Sequence, residues 1–244
     1  MRNDLITMTI YGRKCYIYKN KTVEKQKKKL PIFYWGVGEE SKESVMTVVS
    51  YLREQLPEAN FILAAYACQN WNDDFSPWAA KPVFGNEGFG GKAENTQKWL
   101  VEHLIPYIET DEGETEIMRF PVGYSLAGLF SLWIYCREDI FSGMISCSGS
   151  FWYEGILEYI QQKIAITQNC DTKYVYLSLG DKEERTKNKR MAVVGDNTRK
   201  IYGLLCEHQE KIKGILAWNA GGHFSEPDIR IAKGIDWILK HIGV

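Results

Sequence analysis

IMRFPVGYSLAGLFSLW, residues 117–133, passes from a short apolar run into a stretch of helical periodicity, and five residues, Gly123 to Ala127, make the passage. A serine on such a strand-to-helix turn sits in a strained conformation with its hydroxyl projecting, which demands small residues two positions before and two after it. Gly123 and Ala127 meet that demand. The pattern is GxSxA followed by Gly128, a small departure from GxSxG. Ser125 is therefore the candidate nucleophile. The positive end of the following helix and the N–H of Leu126 would supply one half of an oxyanion hole.

A serine hydroxyl attacks only when a base takes its proton and a carboxylate orients that base. Four histidines are available. His103 falls within one helical pattern, His208 near the end of another and His241 at the C-terminus. His223 stands apart in NAGGHFSEP, directly after the last predicted strand. Gly221 and Gly222 allow a tight turn there, and Ser225 and Pro227 mark the start of the final helix. His223 is the candidate base. The acid is sought between serine and histidine, the order that accompanies a nucleophile on this kind of elbow. The turn GDKEERTKN, 180–188, offers Asp181, Glu183 and Glu184. Glu183 is favoured, because a short turn beginning at Gly180 returns the third residue after it toward the strand tip. Asp181 is the second choice.

Outward from the elbow, short apolar runs without clean alternation recur at Pro31–Trp35, Phe61–Ala67, Ile117–Val122, Gly143–Cys147, Tyr174–Leu179 and Gly214–Trp218. Such runs fit strands buried on both faces. Helical periodicity fills the gaps at Ser44–Gln55, Glu94–Ile108, Leu126–Tyr135, Tyr153–Ile166, Asn197–Lys211 and Pro227–Ile242. Leu5–Tyr11 and Lys14–Lys19 alternate around Gly12 and predict an antiparallel hairpin at one sheet edge. The alternation of strand and helix predicts an α/β fold: a mostly parallel central sheet with helices on both faces and its ligand site at the carboxyl ends of the strands. The turn after Pro31–Trp35 should then supply the second oxyanion donor, Val37 first and Gly38 next, because its glycines free the backbone to turn inward. One domain, 1–244, is expected from the length.

One connection is too long to be ordinary. Residues 69–92, QNWNDDFSPWAAKPVFGNEGFGGK, are rich in Gly, Pro and aromatics. Loops of this length are usually functional or disordered, and Trp71, Phe75, Trp78, Phe84 and Phe89 carry too much apolar area for disorder. The segment either packs for its own stability or walls a substrate pocket.

Thirty Lys and Arg nearly cancel 31 Asp and Glu, which removes the general attraction that nucleic-acid binders depend on. The basic run Lys19 to Lys29 reads as a solvated loop. No window approaches the ~18 consecutive apolar residues that span a bilayer, and the N-terminus has no signal-peptide pattern, so a soluble cytoplasmic protein without membrane partners is expected. Assembly into a homo-oligomer is left open. The six cysteines are scattered without a CxxC pair or clustered histidines, which argues against structural zinc. Cys68, Cys136 and Cys147 read as buried small hydrophobes.

The motifs GYSLAGLF, SGSFW at Ser148–Trp152, GDKE at Gly180–Glu183 and GGHF at Gly221–Phe224 together resemble an esterase family of the α/β-hydrolase superfamily. That family includes enterochelin (siderophore) esterases, S-formylglutathione hydrolases, feruloyl esterases and mycolyltransferases. The similarity runs from about Pro31 to the end. It implies the α/β-hydrolase fold, a small-molecule ester as substrate and no cofactor, with Trp152 facing the pocket and the acid, often Asp in the family, at Glu183. Trp71, Phe75 and Trp78 join Trp152 as candidate substrate-binding residues. The expected chemistry is ester hydrolysis through an acyl-enzyme. Acyl transfer on the same triad, or a binding module with an impaired site, are the alternatives.

Overall fold

Alternation in the first twenty residues produces a hairpin: β1 (Ile6–Ile10) pairs antiparallel with β2 (Arg13–Asn20), Ile6 opposite Ile17 and Ile10 opposite Arg13. The computed structural model describes residues 4–20, 29–83, 85–110, 112–113, 116–164, 171–207 and 211–243. The basic run centred on 21–28, Phe84, Cys170 and His208 lie outside the described residues. Beyond the hairpin come β3 (Lys29–Val37), α1 (Lys42–Gln55) and β4 (Phe61–Ala67), with nearly every strand residue buried. The long connection follows, holding a short helix α2 (Trp71–Asp74) and a two-stranded ribbon of β5 (Ala79–Ala80) and β6 (Phe89–Gly90).

The periodic stretch beginning near Glu94 is one helical run with a π-helical middle, Leu100–Leu104, between α3 (Ala93–Trp99) and α4 (Ile105–Glu109). Then β7 (Glu116–Tyr124), α5 (Leu126–Tyr135), β8 (Gly143–Cys147), α6 (Ile156–Ile164) and β9 (Lys173–Gly180) alternate. A 3₁₀ turn at Glu183–Arg185, α7 (Lys189–Ala192), α8 (Val194–Glu207), β10 (Ile212–Asn219) and α9 (Pro227–Ile242) complete the chain.

Eight strands form one sheet in the order β1-β2-β4-β3-β7-β8-β9-β10. From β4 to β10 every neighbouring pair is parallel, and the antiparallel pairings lie at the β1–β2–β4 end. Alternate side chains of each strand feed opposite cores. Ile32 and Tyr34 pack with α3 and α5, whereas Phe33 and Trp35 pack with α1 and α9. All ten residues of α5 are buried, which explains why that helix is apolar all round. This is the α/β-hydrolase arrangement. Among the described residues no helix is long and apolar enough to cross a membrane.

Candidate active site

Tight packing at the elbow forces the chain to turn as it does. Ser125 adopts φ 56° and ψ −120°, one of four non-glycine residues at positive φ among those described. A Cβ on Gly123 would stand 2.0 Å from the Ala127 carbonyl oxygen, so only glycine lets β7 turn directly into α5. The strained turn is held by backbone bonds: Ser125 N–H donates to Cys147 O (3.0 Å), and Ser125 O accepts from Leu129 and Ser150 N–H (3.0 Å each).

Four loops at the carboxyl ends of β7, β8, β9 and β10 converge on that serine. His223 Nε2 lies 2.9 Å from Ser125 Oγ, and His223 Nδ1 lies 2.8 Å from Glu183 Oε2. An ionised carboxylate only accepts, so Nδ1–H donates to it, and Nε2 of the neutral ring is left to accept the serine proton. Glu183 is buried, and burial by itself would raise its carboxyl. Hydrogen bonds from His223 and Ser148, the charge of His223 and the Gly180 N–H outweigh that, and the group sits below the ordinary value of 4.5. The Gly180 contact (2.8 Å to Oε1) is the returning turn expected from the sequence.

The other acid candidates have different work. Asp181 accepts from Gly221 N–H (2.8 Å) and so pins the histidine loop from outside, while Glu184 pairs with Arg199 at 3.0 Å. Neither approaches His223 in any described contact. His103 stacks on Tyr11 at 4.0 Å, and His241 stacks on Trp237 and contacts its carbonyl.

A cavity of about 440 Å³ opens over Ser125. Its apolar lining is made by Trp71 and Phe89 of the long connection, Leu126, Trp152, Met191, Val194 and the 91% exposed Phe224, with the Phe89 and Trp152 rings in contact at 5.9 Å. Its polar groups besides the three above are Asn72, Ser148, Ser150, Lys182 and Thr186, with Ser150 Oγ 3.4 Å from Ser125 Oγ. Of the four expected substrate-binding residues, Trp71 and Trp152 line this cavity.

Phe75 and Trp78 do not, and this corrects the reading. Phe75 is fully buried against Tyr66, Trp71 and Phe130, because it follows α2, whose base is tied down by the Arg13–Asp74 pair (3.2 Å). Trp78 turns away to donate from Nε1 to Glu154 O (2.9 Å) and to pack on Tyr153 and Tyr159. The loop is braced behind the pocket, with Gly91 (φ +70°) lying so close to Trp78 that a Cβ would meet its carbonyl carbon at 2.3 Å.

The three expected oxyanion residues do not all stand at the cavity. Leu126 lines the cavity, but Val37 and Gly38 do not. Strand β3 runs two residues further than Trp35, so Val37 is held in the sheet opposite Ala67, and its carbonyl accepts from Cys68 N–H. Of the cysteines, Cys15, Cys68 and Cys147 are buried, and Cys136 and Cys206 are half-buried. Among the described residues no cluster of three or more His, Cys, Asp or Glu could hold a metal ion.

Three contributors escaped the sequence reading. Ser148 donates to Glu183 Oε1 (2.7 Å), Tyr124 donates to the His223 carbonyl, and Arg230 reaches the same carboxylate from α9 (2.8 Å). Arg230 had a legible signal. It shares with Gly234 and Ile238 the i, i+4, i+8 stripe that α9 buries, where an unpaired arginine would be prohibitive.

A family model described as "Putative esterase" matches residues 12–215. The chain is 28% identical over 162 residues to the uncharacterized protein YbbA of Bacillus subtilis strain 168, an alignment covering 65% of this chain and 63% of the relative, under two thirds of its length. It is similar to the solved IroE-like serine hydrolase of Shewanella oneidensis (15% identity, 99% and 82% of the two chains, TM-score 0.79). It is also similar to siderophore hydrolase EstA of Aspergillus nidulans (15%, 99% and 94%, 0.75) and to the BES protein of Bacillus cereus (20%, 98% and 95%, 0.71). At such identities the structural likeness is one of fold.

Proposed function

The chain belongs to the esterase family matched by that model, and from this premise we propose that it is a serine hydrolase cleaving carboxylic esters through an acyl-enzyme. One observation carries the reading: an unbroken line of contacts from Glu183 through His223 to a strained, cavity-facing Ser125, with links of 2.8 and 2.9 Å. His223 Nε2 takes the serine proton as Oγ attacks the ester carbonyl, and the imidazolium then returns it to the leaving alkoxide. Glu183 holds the ring in the productive tautomer and balances its transient charge. The developing oxyanion is stabilised by the Leu126 N–H at the first turn of α5, which has no acceptor within its own helix. Water, activated by the same histidine, releases the acid.

The cavity walls favour an ester with an apolar or aromatic substituent seated against Trp71, Phe89 and Trp152. The name of one neighbour, siderophore hydrolase EstA of Aspergillus nidulans, mentions siderophore hydrolysis. A highly anionic substrate would meet a single basic side chain, Lys182, in the lining. Fluorophosphonate labelling tests the proposal. Wild-type protein should take up one equivalent on Ser125 and hydrolyse short p-nitrophenyl esters, and Ser125→Ala should do neither. An adduct on another residue would end the assignment.

A further inference from the structure

Arg230 is about 1% exposed, which makes it one of the largest fully buried side chains in the protein. Burying a guanidinium costs heavily unless its donors are satisfied. Here they are shared between two groups of acceptors. Nη1 reaches Glu183 Oε1 (2.8 Å), Ser148 Oγ (2.9 Å) and Tyr124 Oη (3.2 Å). Nη2 reaches Gly222 O (2.9 Å) and Ala220 O (3.3 Å). The first group comes from the elbow carrying the serine, the loop after β8 and the turn carrying the acid, and the second from the loop carrying the histidine. One rigid fork therefore spans all four loops.

Resting on the serine-hydrolase reading above, we infer that Arg230 is a positioning residue for the triad, setting the relative placement of Glu183 and His223 and sharing the carboxylate's charge. It is absent from the cavity lining, so it acts through these groups and not on the substrate. Its Nη2 arm fixes Gly222, the residue before His223, while Tyr124, which Nη1 also contacts, donates to the His223 carbonyl. The imidazole is thus gripped from both sides of its own peptide unit.

The shared charge has a directional consequence. Glu183 has the Arg230 guanidinium on Oε1 and the imidazole on Oε2. The guanidinium and the imidazole thus share one carboxylate, and removing the guanidinium's charge would leave Glu183 to favour the imidazolium alone. The other ionisable groups facing this pair are Tyr124 from β7, Cys147 from β8, and Asp181 and Lys182 from the turn after β9. Burial pushes Tyr124 and Cys147 up to about 12, so neither changes charge between pH 5 and 8. Asp181 is exposed and engaged with Gly221 N–H.

Arg230→Gln keeps an amide donor and removes the charge, and Arg230→Lys keeps the charge and loses the fork. In Arg230→Gln the acid limb of the kcat/KM profile should move up by about one pH unit, the scale of a neighbouring charge. Its kcat should fall at least tenfold with KM within twofold of wild type. Arg230→Lys should leave the limb in place and lose kcat several-fold. An NMR titration of the His223 ring in wild type and Arg230→Gln reads the same shift without any substrate. It therefore separates this inference from the esterase reading, which fails if wild type is neither labelled nor active. A folded Arg230→Gln whose limb and His223 midpoint match wild type overturns the positioning role. Should that variant not fold, Arg230→Lys decides, and an unchanged kcat there overturns it equally.

Discussion

Glu183→Gln is nearly isosteric, and the contacts of the carboxylate determine what it does. Oε1 accepts from Ser148 (2.7 Å), Gly180 N–H (2.8 Å) and Arg230 (2.8 Å), and Oε2 accepts from His223 (2.8 Å). An amide has one acceptor oxygen, and three donors compete for it at the Oε1 position. The NH₂ then faces His223 Nδ1. Two donors cannot bond, so the ring moves its proton to Nε2, where it points at Ser125 Oγ and can no longer take the serine proton. Loss of the productive tautomer in a serine triad costs ~10⁴ in kcat. That equals about 5 kcal/mol of transition-state stabilisation. The same change strips buried Arg230 of its counter-charge. Breaking a buried pair costs ~3–5 kcal/mol, and the retained amide hydrogen bond puts the expectation at the low end. At ~2–4 °C per kcal/mol for a chain of this size, the melting temperature should fall by roughly 6–12 °C.

The stability loss carries a pH signature. Glu183 sits below its ordinary value of 4.5 in the folded state, so its contribution is complete above that value and is lost as pH falls through the folded-state pKa. The melting-temperature gap between wild type and Glu183→Gln should therefore be constant near neutrality and narrow below about pH 4. Hydrolysis of p-nitrophenyl acetate and thermal melts from pH 3 to 8 measure both effects. Activity within tenfold of wild type, together with a loss of several orders of magnitude in Asp181→Asn, would refute the assignment of the acid.

Two further predictions follow from the same geometry. His223→Ala should lower kcat by several orders of magnitude in a folded protein, while alanine at His103 or His241, which stack on Tyr11 and Trp237 away from the cavity, should leave kcat within a few-fold. Equal losses at either would redirect the search for the base. Within the long connection, Trp71→Ala and Trp152→Ala should change the kcat/KM ratio between aryl and short aliphatic esters several-fold. Phe75→Ala should instead cost ~3–5 kcal/mol of stability with that ratio little changed. Selectivity that follows Phe75 and ignores both tryptophans would show the cavity wall to be misassigned.

The sequence by itself determined the elements, since local chemistry controls them. Doubly buried strands leave unbroken apolar runs, and Gly123 and Ala127 announce the elbow through a steric demand confined to five residues. The ends of α5 and α9 and of β4 and β8 were readable to the residue. Glu183 was legible because its turn is short enough for the spacing from Gly180 to dictate the return. What only the tertiary structure decided lies wherever two distant segments meet. Whether Trp71 or Trp78 faces the substrate depends on how residues 69–92 lie against Arg13 and the segment around Glu154, and no periodicity encodes that. That Val37 stays within the sheet depended on where β3 stops pairing with β4. Arg230 lies 105 residues past the nucleophile in sequence, yet it bonds the residue before it, the acid and the histidine loop. Buried polar groups must find partners, but which partners they find is fixed by the packing of helix against sheet, and a linear pattern does not carry that information.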